Sequence, residues 1–235
     1  MTLLATYNMQ GGGNWTNVGP MMRGTQLYLP NNPYQAKAAA ADVACLQECG
    51  APPDPRGEAK LVSKDLALFS MSYGGMELYW VVWGSGNTRC SLAVVTRHPV
   101  KKWHVVPVVD NGSLRPLLGL KIAFPDRMKG TWIYSCHMPS GNHGFASSRA
   151  YDVIKSGQLG GDWILAGDFN CTPQEFANPP GNRAWDDDDA MPVHSKKATH
   201  QSGNNLDYAV SPQVALQYYA TQAMSSDHYA VWFAF

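Results

Sequence analysis

Eight polar side chains stand at or beside the ends of short apolar runs. Asn8 ends the run Leu3–Tyr7, and Glu48 follows Cys45-Leu46-Gln47. His137 ends Trp132-Ile133-Tyr134-Ser135-Cys136. Asp168 and Asn170 follow Trp163-Ile164-Leu165-Ala166-Gly167. Asp207 lies inside Asn205-Leu206-Asp207-Tyr208, and Asp227 and His228 precede the last run. These types suit the hydrolysis of a phosphodiester. Carboxylates offer hard oxygen ligands to a divalent cation. A histidine or carboxylate orients or deprotonates water. Donor and cationic groups take up the charge that develops around phosphorus, and Arg115 supplies a guanidinium fork. Each residue also has a plainer reading. Glu48 could be a solvated strand end and His137 a structural histidine. Asp168, Asn170 and Asp207 could be ordinary turn residues, and Arg115 a surface cation.

The elements that must position these residues are mostly strands. Runs of strand length recur at Leu3–Tyr7, Val43–Gln47, Leu78–Trp83, Leu92–Thr96, Trp103–Val109, Leu117–Phe124, Thr131–Cys136, Trp163–Ala166, Leu206–Val210 and Tyr229–Phe235. They are rich in Val, Ile, Trp and Tyr and bounded by Gly, Pro or Asn. Unbroken apolar runs predict strands covered on both faces. Helices are expected at Tyr34–Ala41, with Pro33 near its start, and at Phe145–Ser156, where Ala146, Ala150, Val153 and Ile154 share a face. Many strands with a few interposed helices predict one domain, a two-sheet α/β or α+β sandwich. Strand ends at one edge of such a sandwich are rigid and open, which is where a site belongs.

Composition narrows the classes. The chain has 235 residues, 18 Lys+Arg against 18 Asp+Glu, and 45% hydrophobic residues. It is too apolar to be disordered, and a net charge of zero excludes a polybasic binder held by bulk charge. Four of the acids form the tract Asp186–Asp189, and four more are Glu48, Asp168, Asp207 and Asp227. Ten acids then face 18 bases elsewhere, a mildly basic scaffold that a phosphate backbone can meet. The segment 177–197 around the tract is read as a solvated surface loop. No apolar stretch reaches transmembrane length, and Met1–Met9 has no basic leader pattern, so neither a membrane span nor a signal peptide is expected. Cys45, Cys49, Cys90, Cys136 and Cys171 lack zinc spacing and are read as buried free thiols.

Seven ordered segments carry a resemblance to a known family. They are Thr6-Tyr7-Asn8-Met9-Gln10-Gly11, Leu46-Gln47-Glu48, Arg115-Pro116-Leu117-Leu118-Gly119, Ser135-Cys136-His137, Leu165-Ala166-Gly167-Asp168-Phe169-Asn170, Leu206-Asp207-Tyr208 and Ser225-Ser226-Asp227-His228-Tyr229. The sequence resembles the endonuclease/exonuclease/phosphatase superfamily, with its DNase I-like fold. Within it the chain is most similar to the catalytic B subunits of cytolethal distending toxins, through Gln-Gly after the first motif, the Arg-Pro-x-x-Gly segment and the compact length. The resemblance implies a four-layer αββα sandwich of two mixed β-sheets with the site at one edge. It implies Mg²⁺ as cofactor, with Mn²⁺ or Ca²⁺ as substitutes. Glu48 would be the principal metal ligand, with Asn8 beside it and Asp227 near the ion. Asp168 and Asn170 would position the water and the phosphate. Asp207 would hold His228, His137 would meet the scissile phosphate or the leaving group, and Arg115 would grip a phosphate oxygen. In pancreatic-type DNases a Glu pairs with the histidine that matches His137. Glu77 is a candidate for that partner, though no motif anchors it.

The implied activity is Mg²⁺-dependent nicking of DNA by a genotoxin or effector subunit. Its partners would be DNA and toxin delivery subunits, and the chain would be secreted or delivered into a target cell. The alternative is a phosphoinositide or other phospholipid phosphoesterase of the same fold. A decayed, non-catalytic relative would have lost a site residue, and none is lost. His98, His104, His143, His194 and His200 lack motif context and are read as structural or solvated. Lys101-Lys102-Trp103-His104 reads either as a nucleic-acid contact or as a strand edge guarded by lysines. Arg23, Arg89 and Arg149 are further groove candidates.

Overall fold

The computed structural model describes residues 1–24, 40–51, 53, 57–82, 91–110, 113–141, 145–157, 161–179 and 190–235. The expected loop tract Asp186–Asp189, together with Cys90, Arg89, His143 and positions 34–39 of the first expected helix, lies outside these residues. Ala40 and Ala41, the end of that helix, are not helical.

Two sheets form the body. The larger has eight strands in the order β12-β13-β1-β2-β6-β5-β4-β3, and the smaller has five, β11-β10-β9-β8-β7. In chain order these are β1 (Leu3–Asn8), β2 (Val43–Gln47), β3 (Lys60–Ser63), β4 (Leu68–Tyr73), β5 (Met76–Val81), β6 (Leu92–Thr96), β7 (Val100–Asp110), β8 (Ser113–Phe124), β9 (Arg127–His137), β10 (Trp163–Asp168), β11 (Asp207–Val210), β12 (Gln217–Ala223) and β13 (Tyr229–Ala234). Helix α1 (Trp15–Arg23) covers the outer face of the larger sheet. Helices α2 (Phe145–Ser156) and α3 (Pro173–Ala177) flank the smaller one. Two facing sheets with helices outside them are the sandwich expected from the sequence.

The period-2 geometry of a strand explains the unbroken apolar runs. Leu4, Val43, Cys45, Leu92 and Val94 face the core between the sheets. Their neighbours Ala5, Ala44, Leu46, Ala93 and Val95 face a second core, where Trp15, Val18, Met21 and Met22 of α1 pack. Both faces are buried, so no polar alternation survives. Toward one end the inter-sheet face turns polar. Thr6 Oγ1 donates to Gln47 Oε1 at 3.3 Å, and Gln47 Nε2 donates across the gap to Ser135 Oγ at 3.1 Å. This bridge ties β1 and β2 to β9 one step before the site.

Most strand expectations match an observed element, and α2 has the expected bounds. Helix α1 was hidden because Gly19 and Pro20 lie inside it and both disfavour helix. Its packing stripe outweighs that local preference. β3, β4 and β12 also escaped, because their mixed serines, tyrosines and lysines belong to exposed wings. β7 is an edge strand, with Lys101 and Lys102 exposed. Lys102 pairs with Lys121 while Val108 pairs with Arg115, so the lysines lie about 20 Å from Arg115 along the strand. That placement favours the edge-guard reading. Cys45, Cys49, Cys136 and Cys171 are buried free thiols, as expected.

Candidate active site

Strand register assembles half of the site. His137, Asp168 and Asp207 are direct partners across β9, β10 and β11. Three residues far apart in sequence thus project side by side from one sheet edge. Gly167 makes that pairing possible, because a Cβ there would lie 2.0 Å from the carbonyl oxygen of Cys136. The facing sheet contributes Asn8 at the end of β1 and Glu48 just beyond β2, and His228 stands just before β13.

The side chains converge across the gap. Asn8 Nδ2 donates to Asp168 Oδ2 at 2.9 Å and to Glu48 Oε1 at 3.4 Å. Its own Oδ1 accepts from Gln10 N at 3.1 Å, so the amide turns its nitrogen toward the carboxylates. His137 Nε2 lies 3.5 Å from Glu48 Oε1 and 3.7 Å from Asp168 Oδ2. His228 Nε2 lies 3.6 Å from the same Asp168 oxygen. Asn170 closes the group. Its N donates to Asp168 Oδ1 at 2.8 Å and its Nδ2 to Met138 O at 2.7 Å. Gln10, Glu48 and Asn170 all have left-handed backbone, with φ of 50°, 48° and 50°. Such conformations cost about 1–3 kcal/mol each and persist where surrounding contacts impose them. Here they turn Glu48 and Asn170 toward Asn8 and Asp168, and Gln10 toward Asp227.

Each histidine is oriented from behind. Asp207 Oδ2 is 2.9 Å from His228 Nδ1, and both residues are buried. Burial alone would draw the His228 imidazolium down. The charge and hydrogen bond of Asp207, with Asp168 and Asp227 beyond, outweigh it and push the pKa up to about 9. His228 is therefore protonated at neutral pH. Arg115 Nη1 lies 3.2 Å from His137 Nδ1. Arginine only donates, so His137 Nδ1 accepts and the ring proton sits on Nε2, facing the carboxylates. Glu77 does not fill this place. It accepts from Val100 N at 3.4 Å and lines a separate cleft of about 450 Å³ with Glu58, Lys60, Met76 and Tyr79.

The electrostatics fit a divalent cation. Asp168 is fully buried, and desolvation followed by the Asp207 charge raises its pKa, against the pull of His137, His228 and Asn8. Asp207 Oδ1 is buried without a hydrogen-bond donor. The site thus holds more carboxylate charge than the chain's own donors satisfy. Glu48 and Asp168 are hard oxygen donors of the kind Mg²⁺ takes. Asp168, Asp207 and His228 also have ligand atoms within 4.8 Å of one another, as do His200, Asp227 and His228.

All nine residues singled out in the sequence join this network. Asp227 enters through His228 Nε2, 3.9 Å from its Oδ1. Two further participants have no assigned role in the sequence. Gln10 Oε1 accepts from Asp227 N at 3.1 Å, which ties the loop after β1 to the loop before β13. His200, read as structural or solvated, has its Nε2 3.2 Å from Asp227 Oδ2. Gln10 stands in the Gln-Gly of the first motif, but its role, like that of His200, comes only through contacts across the fold.

Among described residues no helix is long and apolar enough to cross a membrane. No curated protein sequence matches the chain. Solved structures do. The Haemophilus ducreyi cytolethal distending toxin aligns with a TM-score of 0.69 at 19% identity, covering 99% of this chain and 97% of that one. CdtB, described as the biologically active subunit of cytolethal distending toxin, aligns at 0.71 and 22%, with the same coverage. The Neisseria 3′ phosphatase NExo, solved with a product DNA hairpin, aligns at 0.57 and 14%, covering 100% and 99%. At such identities the likeness shows a shared fold. The sequence itself matches the Endonuclease/Exonuclease/phosphatase family over residues 5–228. With that match spanning nearly the whole chain and the carboxylate–histidine site built at the sandwich edge, this protein belongs to the endonuclease/exonuclease/phosphatase family, whose general activity is metal-dependent phosphoester hydrolysis.

Proposed function

We propose that the chain is a Mg²⁺-dependent endonuclease that nicks DNA, and that it serves as the catalytic subunit of a secreted or delivered genotoxin. The observation that carries this reading is the convergence of Glu48, Asn8, Asp168, Asn170 and two oriented histidines on one edge. The higher TM-scores against the distending-toxin structures, 0.69 and 0.71 against 0.57 for NExo, support the toxin setting.

Glu48 and Asp168 would hold the Mg²⁺, which when bound supplies positive charge to the phosphoryl oxygens. The chain's own groups do the rest. Asn8 holds the two carboxylates together. Asp168 and Asn170 orient water toward phosphorus. His137 presents Nε2–H to a phosphate oxygen, its tautomer set by Arg115. His228, kept charged by Asp207, presents a second N–H on the other side of Asp168. Two donors aimed at the phosphoryl oxygens stabilise the transition state, where further negative charge develops, more than the singly charged ground state. Arg115 reaches this edge and adds its remaining guanidinium donors to the phosphate.

The test is conversion of supercoiled plasmid to the open circular form with Mg²⁺. Glu48→Gln, His137→Ala and His228→Ala should each lower the rate at least a hundredfold. Equal nicking by these variants overturns the reading. Phosphate release from phosphoinositide vesicles without plasmid nicking replaces DNA with lipid as the substrate.

A further inference from the structure

His200 has no part in the chemistry described above, yet it is built into the site. The segment that carries it is clamped to the strand entering β13. Tyr229 N donates to Thr199 O at 2.7 Å and Gln201 N to Asp227 O at 2.9 Å, which sets His200 opposite His228. Thr199 Oγ1 accepts from Leu206 N at 2.9 Å and Asp207 N at 3.0 Å, so the same segment fixes Asp207. The His200 and His228 rings stand 4.5 Å apart at 67°. His200 Nε2 is 3.2 Å from Asp227 Oδ2, and His228 Nε2 is 3.9 Å from Asp227 Oδ1.

These spacings approach those of a tetrahedral metal site. Zinc bonds of about 2.0–2.1 Å place neighbouring donor atoms roughly 3.3 Å apart. Both imidazoles also have the outer partner that ligating histidines require. His228 Nδ1 has Asp207 Oδ2 at 2.9 Å, and His200 Nδ1 has Ser202 Oγ at 2.7 Å. Ser202 N also lies 3.0 Å from His200 Nδ1. Ser202 Oγ can accept from that nitrogen when it carries the proton, with the exposed Ser202 N–H left to solvent, so His200 can free its Nε2 lone pair. The side facing water is open, since His200 and Asp227 side chains are 21% and 34% exposed. Two imidazoles and one carboxylate are a borderline set that prefers Zn²⁺, Co²⁺ or Ni²⁺ to Mg²⁺ or Ca²⁺.

We propose that His200, Asp227 and His228 form a second metal site, selective for Zn²⁺-class transition ions, whose occupation withdraws His228 from phosphoester hydrolysis. The binding half stands on geometry alone, while the inhibitory half rests on the proposed function. Asp227 between the two imidazoles, with Asp168 and Asp207 beside His228, gives the site the negative charge that a divalent cation needs.

The experiment titrates Co²⁺ into the full chain at pH 8 with millimolar Mg²⁺ present. Visible ligand-field bands should appear with one equivalent, survive the Mg²⁺, and vanish when Zn²⁺ is added. His200→Ala should weaken Co²⁺ binding at least tenfold, while Glu48→Gln should leave the bands in place. Asp227→Asn provides a second variant, and circular dichroism verifies that each is folded. Bands that disappear in Glu48→Gln but persist unchanged in His200→Ala put the ion in the other centre and overturn the site. Absence of any Mg²⁺-resistant binding overturns it as well. In the nicking assay, the Zn²⁺ concentration for half-inhibition should rise at least tenfold in His200→Ala, and an unchanged value overturns the inhibitory half. If wild type and variants never nick, the proposed function fails, while the Co²⁺ bands still decide the metal site.

Discussion

Replacing Asp207 with Asn keeps the shape beside His228 and removes the charge. The pair is 2.9 Å apart with both residues buried, so little solvent screens it. In the folded chain the His228 pKa is about 9, against about 6.5 for an unfolded histidine. A raised histidine pKa adds stability that is complete below pH 6.5 and is lost as pH climbs through 9. At about 1.4 kcal/mol per unit, the full contribution is about 3 kcal/mol. Burial pulls the imidazole down, and Asp207, through its charge and its hydrogen bond, is the leading upward cause. Asp207→Asn should therefore cost about 2–3 kcal/mol more at pH 6 than at pH 10. One effect runs the other way. Asp207 also raises Asp168, so its removal relieves that carboxylate. Where Asp168 is ionised at both pH values this relief is the same at each and cancels from the difference. Tyrosines and cysteines that burial holds up in the folded chain, and that ionise near pH 10 once unfolded, are common to both proteins and cancel too. The assay is urea unfolding of both proteins at pH 6 and pH 10 with a chelator present. A destabilisation of equal size at the two pH values would refute the electrostatic account.

Three other changes probe separate parts of the argument. Gly167→Ala puts a methyl 2.0 Å from Cys136 O, so β9 and β10 must part, and calorimetry should show a large fall in Tm or no cooperative transition. Thr172→Ala removes the capping box at α3, where Thr172 Oγ1 accepts from Glu175 N at 3.2 Å and Glu175 Oε2 accepts from Thr172 N at 2.7 Å. That loss should cost about 1 kcal/mol in chemical denaturation, with hydrolysis unaffected. Arg115→Ala frees His137 Nδ1, so ¹⁵N spectra of the ring should move away from the Nε2–H tautomer. An unchanged tautomer would show that Arg115 does not set it.

Much of the architecture is legible locally because a strand covered on both faces writes an unbroken apolar run. β2 and β6 emerge with their expected bounds, and α2 does so through its apolar face. α1 is not legible, because Gly19 and Pro20 argue against the helix that Trp15, Val18, Met21 and Met22 are packed to form. The exposed wing strands are missed for the opposite reason, since they have little apolar pattern to read.

The nine candidate residues are visible because their types and their places at run ends have meaning without coordinates. Their pairings are another matter. His137, Asp168 and Asp207 are neighbours only because parallel and antiparallel registers align them. Arg115, rather than Glu77, stands behind His137 because β8 carries it to the site, while Glu77 lies opposite Thr96 and Val43, at the end of the larger sheet away from Gln47 and Glu48. His200 meets Asp227 through a single cross-strand bridge that no local pattern encodes. The sequence alone determined the family, the strand-rich sandwich and the chemical types at its edge. The tertiary structure alone decided which donor faces which acceptor and which histidine is held charged. Hydrogen bonds and charge coupling depend on distances of a few ångströms, and long-range register sets those distances.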